Sequence, residues 1–164
     1  MTRHGEAGGA GPRAGAARPR TPQQLAEACA AAMWAEDQAS QGLGMRIARV
    51  APGEAEVTMT VEPRMANGHG IGHGGFVFTL ADSAFAFACN SFNRRTVAQS
   101  NSITYLRPAR VGQVLTARAA RVAEAGRSGV YDVLVTDESG AAIASFRGLS
   151  RSIEGQLVAE EDMP

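Results

Sequence analysis

Phe76-Val77-Phe78-Thr79-Leu80-Ala81-Asp82-Ser83-Ala84-Phe85-Ala86-Phe87-Ala88-Cys89-Asn90 runs without glycine or proline and reads as a helix. Its apolar residues fall on every side. A helix of that kind is buried rather than laid on a surface. A small domain has one means of enclosing it, a sheet wrapped around it, with a second subunit adding cover. The fold reading follows from this stretch.

On the N-terminal side, Asn67-Gly68-His69-Gly70-Ile71-Gly72-His73-Gly74-Gly75 is a glycine-rich loop. Before it, Glu54–Glu62 alternates, with Val57, Met59 and Val61 on one face and Thr58 and Thr60 on the other, so it reads as a strand ended by Pro63. Leu43–Val50 is a further strand. Thr21 and Pro22 have the character of a helix cap and first position, predicting a helix to about Gln41, where Gly42 and Gly44 stop it. On the C-terminal side, Thr96–Leu106, Gln113–Glu124, Val130–Thr136 and Ala141–Ile153 are strands joined by glycine-bearing turns. Helix, two strands, helix and four strands predict an α+β fold with an antiparallel sheet, not alternating βαβ units.

The 164 residues allow one ordinary domain, expected over residues 21–154. Residues 1–20 are Gly, Ala, Arg and Pro without bulky apolar residues after Met1, and are expected to be a disordered tail. Their Arg-rich make-up resembles a transit peptide, but serine is absent. Residues 155–164 read as an acidic tail. Sixteen basic residues, all arginine, balance sixteen acidic ones, which argues against nucleic-acid binding. No stretch is long and apolar enough to span a membrane. Cys29 and Cys89 make neither a disulfide framework nor a zinc site, so a reducing cytoplasm is the expected location.

Asp82 is the one acidic residue between Glu62 and Glu124, a span holding seven arginines. Burying an unpaired carboxylate is costly or raises its pKa. Two readings stand: a core carboxylate that is ion-paired with arginine or accepts hydrogen bonds as a core fixture, or a catalytic carboxylate at the edge of a pocket. The loop also has two readings. It is either a tight turn feeding a buried helix, or a place where Gly74 and Gly75 present N–H donors to a developing oxyanion at a helix start. Gly70, Gly72 and Gly75 match a dinucleotide-binding spacing, but no βαβ unit or following acid supports it. His69 and His73 lack a third partner for metal.

His73-Gly74-Gly75 together with Leu80-Ala81-Asp82-Ser83-Ala84-Phe85-Ala86-Phe87-Ala88-Cys89-Asn90 resembles the hotdog-fold acyl-CoA thioesterases, most closely their phenylacetate-pathway (PaaI-like) branch. Asn67-Gly68-His69, Tyr105-Leu106-Arg107-Pro108, Gly129-Val130-Tyr131-Asp132-Val133 and Phe146-Arg147-Gly148 extend the likeness over about residues 22–153. The resemblance implies a central helix wrapped by an antiparallel sheet, and a homo-oligomer, a dimer of dimers, with the active site at a dimer interface. It implies Asp82 as catalytic carboxylate and the Gly74 amide as holder of the thioester carbonyl. Asn67, His73 and Gly75 would shape the substrate site. The implied reaction is hydrolysis of phenylacetyl-CoA or hydroxyphenylacetyl-CoA to acid and free CoA, with no metal or redox cofactor. Rivals are a thioesterase for another acyl group, an acyl-CoA hydratase and a non-catalytic acyl-CoA-binding protein. The hydratase is disfavoured because no histidine follows Asp82.

Overall fold

Thr21 opens the first element. Its hydroxyl accepts the Gln24 N–H while the Gln24 side chain accepts the Thr21 N–H, a reciprocal cap that satisfies two otherwise orphaned donors. Helix α1 runs Pro22–Glu36 and a short α2 runs Gln38–Gly42. The single helix expected from sequence is therefore broken at Asp37. Its carboxylate accepts the Ser40 N–H at 2.9 Å, so it caps α2 instead of continuing α1. The break brings the Ser40 hydroxyl within 2.8 Å of the Ser83 hydroxyl on the central helix.

The computed structural model describes residues 20–159. Residues 1–19 of the expected N-terminal tail and 160–164 of the expected acidic tail lie outside them. Gly155–Val158 run back against the turn after the central helix, where the Asn93 carboxamide accepts from Leu157 and Val158 N–H groups at 2.9 Å each.

Six strands follow: β1 (Arg46–Ala51), β2 (Glu54–Thr60), β3 (Thr96–Tyr105), β4 (Val114–Ala125), β5 (Ser128–Thr136) and β6 (Ala142–Ser152). They form one antiparallel sheet in the order β1-β2-β4-β5-β6-β3. The expected α+β class is present. Between β2 and β3 lies α3 (Gly74–Cys89), packed on one face of the sheet. Leu115, Ala117, Val133, Val135 and Phe146 point at it, with their strand neighbours pointing away. Alanines on the strands leave room for helix aromatics. Gly148 does the same: a Cβ there would sit 2.8 Å from the Phe85 ring, which packs edge-on against Tyr131.

The helix is not buried all round within one chain. Gly75, Thr79, Asp82 and Ala86, spaced four, three and four apart, form one half-open stripe. Val77, Leu80, Ala81, Ala84, Phe85 and Ala88 are buried against the sheet. The strand β3 is the far edge of the sheet, ten residues long and without a charged side chain.

Candidate active site

The loop before α3 is stapled at both ends. Asn67 Oδ1 accepts the His69 and Ile71 N–H groups at 2.9 and 3.4 Å, an Asx-type turn. The His73 N–H donates to the Met65 carbonyl and the Gly72 N–H to the Ala109 carbonyl. His73 then caps the helix: its Nδ1 accepts the Gly75 N–H at 2.9 Å. The helix therefore starts at Gly74, two residues earlier than expected from sequence, because a histidine cap offsets the poor helix propensity of paired glycines. A Cβ on Gly75 would lie 3.1 Å from His73 Nδ1, so glycine keeps the ring seated.

This divides the two candidate oxyanion donors. The Gly75 N–H is taken by His73. The Gly74 N–H has no acceptor among the described residues. It stands at the positive end of a sixteen-residue helix. Gly74 also carries Tyr105: the phenol donates to the Gly74 carbonyl at 2.9 Å, and a Cβ on Gly74 would meet the ring at 2.9 Å. The glycine at this position is required by a neighbouring side chain as well as by any ligand.

A cleft of about 520 Å³ opens beside this donor, lined by Asn67, Gly74, Val77, Tyr105, Leu106 and Arg107 among others. Most of its wall is apolar. Asn67 and Gly74 thus meet at one place, whereas His73 and Gly75 act behind it and Asp82 lies outside it.

Asp82 has no arginine partner among the described residues. Four of the seven arginines of its span pair with other acids: Arg64 with Glu62, Arg118 with Glu56, and Arg94 and Arg121 with Glu124. Among the described residues its side chain is bonded by Asn101, whose Nδ2 donates to Asp82 Oδ1 at 2.8 Å. Burial pushes the carboxyl above its ordinary range, and the Asn101 bond opposes this to a lesser degree. The arginine pair expected as one reading of Asp82 is thus absent among the described residues, and the carboxylate instead accepts a hydrogen bond from Asn101.

Strand and helix act as a ruler. Asn101 touches Asp82 and Tyr105 touches Gly74, with Ile103 between them packed on the core. Eight residues of helix rise about 12 Å, and four residues of strand span about 13 Å. The two run in opposite directions, so the same-face residues of β3 meet both ends of the functional span of α3.

A family model for the thioesterase superfamily matches residues 69–144, which contain the loop from His69 onward, the helix and the ruler strand. The chain is 42% identical over 129 residues to acyl-coenzyme A thioesterase PaaI of Escherichia coli (strain K12), covering 79% of this chain and 92% of that one. The chain belongs to the thioesterase superfamily. This thioesterase superposes on the structure of the E. coli PaaI protein from the phenylacetic acid degradation operon with a TM-score of 0.82 at 40% identity, over 83% of this chain and 99% of that one. A hypothetical thioesterase protein with coenzyme A from Streptococcus pneumoniae TIGR4 matches with a TM-score of 0.65 at 28% identity, over 68% and 90% of the chains. The hotdog fold and the thioester-hydrolase class expected from sequence are thereby shown for this thioesterase.

Sequence reasoning passed over Asn101 and Tyr105. Their signal was the two-residue period through Asn101, Ile103 and Tyr105, but Thr96–Tyr105 is a run of small and polar residues in which neither face stands out as apolar. No helix among the described residues is long and apolar enough to cross a membrane.

Proposed function

We propose that the protein hydrolyses acyl-CoA thioesters, with arylacetyl groups such as phenylacetyl or hydroxyphenylacetyl as the acyl part, releasing the acid and free CoA. The observation that carries this is Asp82, a desolvated carboxylate without a cationic partner on the half-open stripe of a buried helix. An ordinary aspartate is a weak base at neutral pH. Raising its pKa strengthens it as a base. The Gly74 N–H is the donor for the carbonyl oxygen as it gains charge, a role worth about 10²–10³-fold in rate per donor in other enzymes. The apolar cleft beside it, walled by Val77, Tyr105 and Leu106, suits a planar ring. Asn67 shapes the cleft wall, and His73 and Gly75 hold the helix start. The chemistry transfers no electrons and calls for no metal or redox cofactor.

One chain does not complete this site. Asp82 follows Gly74 by about 12 Å of helix, whereas both must act within about 3 Å of one thioester carbonyl. The reading therefore includes a homo-oligomer in which Asp82 of one protomer faces the Gly74 end of another, as a dimer or a dimer of dimers. The uncharged edge of β3 supports such pairing, since an open edge of that length invites another strand. The free, buried Cys29 and Cys89 suit a reducing cytoplasm.

The test is thiol release from phenylacetyl-CoA, followed with a disulfide reagent, for wild type and Asp82→Asn. Wild-type turnover that is lost in the folded variant supports the reading. Tight binding of phenylacetyl-CoA without thiol release makes the protein an acyl-CoA-binding module instead. A panel of short-chain, long-chain and aryl acyl-CoA substrates ranks the acyl preference.

A further inference from the structure

Asn101 is bound at one end only. Its Nδ2 holds Asp82 Oδ1 at 2.8 Å, yet its own Oδ1 is buried and has no hydrogen-bond partner among the described residues. A buried amide oxygen left unpaired costs about 1–3 kcal/mol, so its retention at this spot calls for an acceptor role. Nothing else in the strand compels an amide: Asn101 stands opposite Gly148, and its same-face neighbour Ile103 is apolar. The side chain cannot be turned over without setting its oxygen against the carboxylate oxygen it now binds. The donor therefore stays on Asp82, and the acceptor is left buried and unpaired beside it.

Resting on the thioesterase reading above, we propose that Asn101 belongs to the hydrolytic machinery: Nδ2 fixes one oxygen of Asp82, and Oδ1 joins the free Asp82 oxygen as the second acceptor for the attacking water. Two acceptors take both hydrogens of one water and aim its lone pair at a single point. In the step itself, one water proton passes to Asp82 Oδ2 as the water oxygen bonds to the thioester carbon. The C–S bond then breaks, and the thiolate of CoA takes up the proton from Asp82. The arrangement makes Asp82 a general base rather than a nucleophile, because its free oxygen is occupied in binding the water.

The charged surroundings are sparse enough for a pH profile to report on this pair. Along α3, Cys89 shares the field of Asp82, and its thiol is pushed up to about 12, so it stays neutral. On the sheet, Arg118 and Arg121 are engaged by Glu56 and Glu124, and Arg147 is engaged by Asp132 on β5; Arg94, in the turn before β3, is also engaged by Glu124.

The experiment measures kcat, KM and the pH dependence of kcat/KM for phenylacetyl-CoA in wild type, Asn101→Leu and Asn101→Asp. A single turnover in ¹⁸O-water is added for wild type. We expect kcat to fall about 100-fold in both variants, the scale of a misplacement of about 1 Å, with KM within about threefold. The acid limb moves to higher pH in both, further in Asn101→Asp, where a like charge replaces the donor. The label enters the product acid in the first turnover. Folded variants with kcat within about twofold of wild type and an unmoved acid limb overturn the proposal; an inactive Asp82→Asn alongside them leaves the thioesterase reading standing. Unlabelled acid from the first turnover, with label appearing later, makes Asp82 the nucleophile and also overturns it. A wild type that releases no thiol from any acyl-CoA sinks both readings together.

Discussion

At the scale of single residues, the role proposed for Asp82 comes with a cost in stability. Its pKa is raised in the folded chain, so folding favours the protonated form. The stability linked to that form is fully present below the unfolded pKa and is lost as pH rises through the folded one. Asp82→Asn removes the loss and keeps an oxygen for the Asn101 donor. The variant should lack turnover yet melt about 2–5 °C higher than wild type at neutral pH, with the gap closing below pH ~4, near the ordinary aspartate value. Thermal melts of the two proteins across pH check this; a variant that melts lower at pH 7 contradicts it. Asp132 shows the opposite sign. The bidentate Arg147 contact holds its carboxyl low, so its contribution appears above the usual carboxylate range and fades in acid. The Asp132–Arg147 contact is a surface pair of modest worth, and of the two carboxylates only Asp82 has a proposed role in the chemistry. The isolation of Asp82 among arginines was legible in the sequence. Its partner was not, because a side-chain bond across nineteen residues leaves no local pattern.

At the scale of elements, the central helix and its C-terminal end were legible, and its start was not. A glycine pair is read as loop from propensity, and here the cap supplied by His73 outweighs it. Asp37 likewise breaks a helix that the apolar spacing alone would carry through. Both errors have one origin: a side chain hydrogen-bonding its own backbone decides a boundary that periodicity cannot see. Thr21→Ala removes half of the reciprocal cap on α1 and should cost about 1 kcal/mol, read as a shift in the denaturant midpoint. Gly148→Ala forces a methyl into the Phe85 ring and should cost about 1–3 kcal/mol, while leaving the KM of the surviving folded protein unchanged. A silent Gly148→Ala would mean the ring has room that the packing does not show.

At the scale of the whole molecule, the antiparallel class followed from the run of hairpins, but the strand order did not. Placing β3 beside β6 depends on pairing residues 39 to 56 apart in sequence, which turn chemistry does not encode. The half-open stripe of α3 and the bare edge of β3 together carry the expectation of shared sites. Asp82→Asn destroys the acid and Gly74→Val destroys the donor end by clashing with Tyr105, so each homo-oligomer should be inactive. Unfolding and refolding the two variants together should restore about a quarter of wild-type turnover, since half of randomly formed dimers are mixed and each has one intact site. Sites built within one chain would yield no recovery. Light scattering of wild type should give a mass of two or four chains.

The ruler formed by α3 and β3 bears on how this protein can diverge. Because Asn101 and Tyr105 share a face, one residue inserted between them turns one of the two away from the helix. Substitutions at Leu106 or Val77 reshape the cleft without disturbing that alignment. Lineages descending from this chain can therefore explore new acyl groups by point changes, while the length of this one span is closed to drift.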